Sequence, residues 1–157
     1  MYSKPRACRP RCCFGRFEKS WARMGGHRAS LHSHTSGAVG RHQAQEAAVH
    51  RWDAEGVAGA SGPLPAVLAT DGVPEFVEIM IGAGASALPG TVTLTATDTG
   101  ASWQVAGPAD RSGRVSELRA TASDLVLMLY RRLPVPDAAV TGDPMLVAAL
   151  LSLADTS

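Results

Sequence analysis

One helical turn separates a carboxylate from an imidazole in the most informative stretch of this chain. Glu46 and His50 are four residues apart within residues 41–55, a spacing that places both side chains on one face of an α-helix. His42 and Asp53 fall on the same face, within about half a turn of the pair. Because imidazole and carboxylate groups can both bind a divalent metal, these four side chains form one stripe of potential metal ligands.

The same four residues also allow simpler interpretations. A Glu/His pair one turn apart is a common exposed pair on a helix surface and needs no metal. His42 lies one turn before Glu46 and could supply a third ligand, although three ligands in a row on one helix do not easily wrap one ion. Asp53 could orient the His50 imidazole from outside the ligand shell, or it could pair with Arg51 at the surface.

Charge is distributed unevenly along the 157 residues. Residues 1–41 carry nine Lys and Arg against Glu18 alone, a net charge of +8, whereas residues 42–157 carry six against thirteen Asp and Glu, a net charge of −7. Residues 1–40 also lack helical or strand periodicity and contain few aliphatic side chains. Such a segment buries too little apolar surface to offset the entropy of ordering its backbone. We therefore expect residues 1–40 to be a disordered basic tail, dispensable for folding.

Several functional classes are disfavoured by what the chain contains. The tail holds all the cysteines and three histidines, but their spacing matches no closed zinc pattern: Cys8, Cys12, Cys13, His27, His32 and His34. The tail also lacks regularly interleaved aromatic residues, so we expect no specific nucleic-acid partner. No apolar run approaches the roughly 18 residues that span a bilayer. Because the remainder has no cysteine for disulfides, we expect a cytoplasmic protein.

Residues 88–157 show the pattern of a small α+β domain. Apolar residues alternate with β-branched polar residues in segments that predict strands, at 91–97, 102–106, 117–121 and 139–141. Two apolar helices are expected at 124–133, capped by Thr121 or Ser123, and at 144–153, capped by Asp143. Their leucines would cover one face of the sheet: Leu125, Leu129, Leu146, Leu150 and Leu151.

Two further helices are predicted before this domain. They span 41–57 and 66–81, and the Gly- and Ala-rich residues 82–87 read as a flexible linker. Trp103 and Tyr130 could line a groove for an apolar ligand, but packing of a helix on the sheet is the favoured interpretation.

Three stretches of this chain, in order, resemble the mycothiol-dependent maleylpyruvate isomerase family. Residues 46–55 are similar to its metal helix, which reads His-Glu-x-x-x-His-Arg-x-Asp-Ala-Glu, with Gln45 in place of the first His. Residues 68–76 are similar to an Ala-x-Asp-Gly-Val-x-Glu-Phe helix, and residues 91–154 follow the family's C-terminal domain. Each motif is weakly specific by itself, but their order and spacing together are fairly specific.

The resemblance implies a DinB-type, zinc-binding four-helix bundle followed by a C-terminal α+β domain similar to sterol carrier protein 2. It implies zinc held by a His of an early helix and by the Glu and His that match Glu46 and His50. Residues 1–40 show no counterpart of the early helix. We therefore expect a truncated member, inactive alone, with a bundle remnant at 41–87 and the C-terminal domain at 88–157.

The function that the resemblance implies is zinc- and thiol-assisted isomerisation or thiol transfer. In the implied isomerisation, the cofactor mycothiol adds to the double bond of an enedione-type acid, rotation follows, and the thiol leaves. A small-molecule thiol and that acid would be the partners. The alternative hypothesis is a non-catalytic C-terminal module that docks onto a partner or binds an apolar ligand. An upstream helix with a ligand His would separate the two hypotheses.

Overall fold

Four strands form one mixed sheet in the computed structural model, which describes residues 36–107 and 113–154. The strands are β1 (Thr91–Ala96), β2 (Ser102–Ala106), β3 (Val115–Ala120) and β4 (Val140–Gly142). Their spatial order is β2-β1-β3-β4. Strand β1 is antiparallel to β2 and parallel to β3, and β4 is antiparallel to β3. The predicted α+β class is confirmed.

Local capping residues begin the two helices that cover the sheet. The α-helices of the described residues are α1 (Ser36–Val57), α2 (Ala66–Phe76), α3 (Ala122–Leu129) and α4 (Pro144–Ser152). The Thr121 hydroxyl accepts a hydrogen bond from the Asp124 amide at 3.1 Å, which starts α3. The Asp143 carboxylate accepts one from the Met145 amide at 2.9 Å, which starts α4. Both caps satisfy amides that have no partner inside the helix.

The core lies between the sheet and these helices and continues onto α1 and α2. Alternate residues of β1 are buried, and the leucines predicted to cover the sheet are fully buried except Leu151, which is partly buried. Val49 of α1 and Phe76 of α2 belong to the same buried cluster as Leu129 of α3. Trp103 packs against this cluster and is partly buried. The expected boundary at residue 88 stays a prediction, because burial alone does not show which segments fold independently.

The start of α1 and the conformation of residues 82–87 differ from the sequence-based expectation. Helix α1 begins at Ser36, so part of the expected tail is helical; a helix that has started gains one hydrogen bond for each added residue. Residues 1–35 lie outside the described residues. Residues 82–87 form a 3₁₀ helix, Gly82–Ala87, and not the expected flexible linker. The buried side chains of Ile81 and Leu88 hold both of its ends.

Candidate metal half-site and its contacts

The two candidate ligands lie next to each other on α1. Glu46 Oε2 is 3.6 Å from His50 Nε2, and the exposed fractions of the two side chains are 31% and 68%. The four-residue spacing produces this proximity, as the sequence predicted. The pair faces solvent, so an incoming ion or group could reach both side chains.

His42 continues the stripe but is engaged by α2. Its Nδ1 lies 2.7 Å from Oε1 of Glu75, while its Nε2 is 4.0 Å from Oε1 of Glu46. Glu75 is buried, and its burial raises the pKa of its carboxyl group, an effect that the contact with His42 opposes. Its second oxygen has no hydrogen-bond partner among the described residues. His42 is therefore part of a partly buried polar contact between α1 and α2.

Asp53 is shared between His50 and the C-terminal part of the chain. Its Oδ2 lies 3.7 Å from His50 Nδ1. Arg132 donates through Nε to Oδ1 at 3.1 Å and through Nη2 to Oδ2 at 3.1 Å. Arg51 instead pairs with Glu55, at 3.6 Å. Of the two roles considered for Asp53, the structure favours the position beside the imidazole, with Arg132 as its main partner.

Tyr130 reaches Glu46 from the end of α3. Its hydroxyl donates to Glu46 Oε1 at 3.1 Å, and its ring lies edge-on to Phe76 with centroids 4.8 Å apart. Burial raises the pKa of the Tyr130 hydroxyl well above its ordinary value, and the Glu46 charge adds to this effect. The phenol therefore remains protonated and acts as a donor to the carboxylate at neutral pH.

The arrangement of donors does not fit a complete zinc site. Catalytic zinc sites typically have three protein ligands. Across residues 36–107 and 113–154, no group of three or more His, Cys, Asp or Glu side chains is placed to hold a metal ion. Glu46 and His50 supply two donors at most, and His42 has turned its Nδ1 toward Glu75. Metal binding by Glu46 and His50 stays a prediction, and the histidines and cysteines of residues 1–35 lie outside the described part.

Three residues of this cluster were not expected beside the polar stripe from the sequence. Glu75, Tyr130 and Arg132 contact the stripe, yet each is at least 33 positions away from its partner along the chain. Glu75 falls within residues 68–76, and the other two fall within residues 91–154, the stretches that carried the family resemblance. That match was the available signal, but it marked positions without showing what they contact.

The described residues contain an apolar groove beside β4 and α4. It measures about 200 Å³ and is lined by seven residues: Val135, Asp137, Val140, Pro144, Val147, Ala148 and Leu151. Small-molecule pockets are commonly about 300–1,000 Å³, so the groove lends little support to binding of an apolar ligand. Within the same residues, no helix has the length and apolar character needed to cross a membrane.

Comparison with known proteins finds one family match, which begins after α1. The family model described as the MDMPI C-terminal domain matches residues 67–149, which is more than half of the chain. The match includes the sheet, α3 and most of α2 and α4, but it does not include α1, which carries Glu46 and His50. No curated protein and no solved structure shows a significant match.

Proposed function

The chain belongs to the MDMPI C-terminal domain family, and from this premise we propose that it carries half of the zinc site of a mycothiol-dependent isomerase. Glu46 and His50 are the proposed ligands. One observation carries the proposal: Glu46 Oε2 and His50 Nε2 lie 3.6 Å apart on the solvent-facing side of α1. A carboxylate and an imidazole at this separation can converge on one ion after small side-chain rotations.

A complete site would need at least one more ligand from outside the described residues. Zinc-dependent isomerisation or thiol transfer with mycothiol would depend on that ligand, because two protein donors leave the ion weakly held. We propose that the chain alone neither retains zinc nor turns over maleylpyruvate. A cytoplasmic location, where a reduced small-molecule thiol is available, is part of the same proposal.

Zinc binding can be measured on the whole chain. After dialysis, elemental analysis should find well under one zinc per chain. In excess zinc, NMR resonances of the His50 ring and the Glu46 side chain should shift, and His50→Ala should abolish the shift at Glu46. His42→Ala is the matched control, because it removes another imidazole of the same stripe and should leave the shift in place.

Two results would contradict this proposal in different ways. Zinc-induced shifts that bypass Glu46 and His50 would show that the pair is not a half-site. Stoichiometric zinc that survives dialysis and is lost in His50→Ala would show a complete site. In the second case, maleylpyruvate turnover with mycothiol should be detectable and should be lost in the same variant.

A second candidate function is a non-catalytic module, and the contacts of α1 favour it specifically. Tyr130 already occupies one oxygen of Glu46, and Arg132 binds Asp53. These contacts hold α1 on the α+β layer without a metal. If zinc leaves both Glu46 and His50 unshifted, docking of this helix would be the remaining role of the polar stripe.

A further inference from the structure

Helix α3 ends in an unusual turn. Arg131 has a positive φ of 58°, in the left-handed region that glycine normally occupies. Its amide donates to the Met128 carbonyl at 3.0 Å, and the Arg132 amide donates to the Leu127 carbonyl at 2.7 Å. This is the Schellman pattern of helix termination with arginine in the glycine position. The predicted continuation of this helix to residue 133 is therefore wrong.

Consecutive side chains of this turn reach out to two other helices. Tyr130 donates to Glu46 and Arg132 donates to Asp53, both on α1. Arg131 donates through Nη2 to the Leu151 carbonyl of α4 at 2.7 Å. Glu46 and Asp53 are seven residues apart, which is two helical turns, so they share one face of α1. The turn therefore contacts α1 on both sides of His50.

We propose that Tyr130 and Arg132 are positioning residues for the metal half-site. This inference rests on the proposed function, because it assigns to the turn the orientation of the proposed ligands. Tyr130 fixes Glu46 directly. Arg132 acts on His50 through Asp53, whose Oδ2 is 3.7 Å from His50 Nδ1.

The geometry explains why these two contacts can position a side chain and not only bind it. Tyr130 is buried and its ring is packed against Phe76, so its hydroxyl is a fixed donor. Arg132 also donates through Nη1 to the Tyr130 carbonyl at 2.9 Å, which holds its guanidinium beside the turn. A fixed donor selects one orientation of an otherwise mobile carboxylate, as outer-shell partners do around metal ligands.

The first test measures the attachment of α1 in the metal-free chain. Amide hydrogen exchange of α1 should become at least about tenfold faster in Tyr130→Phe, because the Phe ring cannot donate a hydrogen bond to the Glu46 carboxylate. Arg132→Gln should have a similar effect. Arg51→Gln is the matched control, because its ion pair with Glu55 lies within α1 and should leave the exchange rate nearly unchanged.

The second test measures orientation, which a contact that only adds stability would not alter. Side-chain scalar couplings of Glu46 should report one staggered rotamer in the wild-type chain and averaging in Tyr130→Phe. Tyr130→Phe keeps the ring contact with Phe76, so folding should be retained. If that variant fails to fold, Arg132→Gln, read at the His50 ring through the same couplings, tests the second arm of the turn.

The positioning role would be overturned if Glu46 keeps one rotamer in Tyr130→Phe and the His50 ring keeps one rotamer in Arg132→Gln. It would equally be overturned if these variants exchange α1 amides no faster than Arg51→Gln. Both measurements are made without metal. A failure of zinc to bind Glu46 and His50 would refute the half-site while leaving the attachment of α1 by the turn intact, so the two failures are distinguishable.

Discussion

Replacing Phe76 with alanine should destabilise the sheet domain as strongly as a substitution within that domain. Phe76 lies on α2, before the expected boundary at residue 88, and its side chain is fully buried. Removing a buried Phe side chain costs about 3–5 kcal/mol through lost burial and the cavity left behind. About 0.5–1.5 kcal/mol of this loss comes from the edge-on contact with the Tyr130 ring.

Two further substitutions serve as comparisons for Phe76→Ala, one with a large and one with a small expected effect. Leu129→Ala removes a fully buried side chain from α3 and should cost about 2–5 kcal/mol. His50→Ala should change the free energy of unfolding by about 0.5 kcal/mol or less, because the side chain is 68% exposed. Urea unfolding of all three variants, with fluorine-labelled tryptophan resolving Trp103 on β2, reports the stability of the sheet itself.

A core shared by α2 and the sheet would be refuted if Phe76→Ala left the unfolding midpoint at Trp103 unchanged while Leu129→Ala lowered it. That outcome would show that residues 88–157 fold without α2, as the expected boundary requires. If His50→Ala cost as much as Leu129→Ala, the polar face of α1 would be integral to the fold. A domain with about 5–15 kcal/mol of total stability makes either difference measurable.

Three more predictions concern single residues. Burial raises the folded-state pKa of the Glu75 carboxyl above its ordinary value of 4.5. The free energy of unfolding should therefore fall as pH rises from 4.5 through the raised pKa. Glu75→Gln should remove this fall in a pH series of unfolding curves. Arg131→Gly should stabilise the chain by about 1 kcal/mol in urea unfolding, because glycine adopts the left-handed conformation without strain. A loss of stability would mean that the hydrogen bond from Arg131 to the Leu151 carbonyl outweighs the backbone strain. Arg114 and the Met145 amide lower the pKa of Asp143. The stability that the Asp143 carboxylate contributes should therefore be lost only as pH falls below 3.8. Asp143→Ala should lose this stability already at neutral pH, as measured by thermal unfolding.

Local sequence patterns predicted the elements that depend on neighbouring residues. Thr121 and Asp143 each accept a hydrogen bond from an amide within three residues, so capping could be recognised from residue type and position alone. Alternation of apolar and β-branched residues identified β1 in the same way. The Glu46–His50 contact is equally local, because helix geometry alone brings together residues four positions apart.

Composition was a poorer guide where distant packing decided the conformation. Residues 82–87 contain only Gly, Ala and Ser, which suggested flexibility. In the structure they form a 3₁₀ helix because the segment is held between the buried side chains of Ile81 and Leu88. The end of α3 was misjudged for a related reason, since nothing in local propensity places a non-glycine residue in the left-handed region.

The sequence by itself determined the α+β class, the capped helices, the polar stripe of α1 and the family resemblance, because each of these follows from periodicity or from residues close together in the chain. Only the tertiary structure decided what the stripe contacts. Tyr130 and Glu46 are 84 positions apart, and Arg132 and Asp53 are 79 apart. The packing of α1 and α2 against α3 brings them together, and no spacing rule along the chain encodes such a pair.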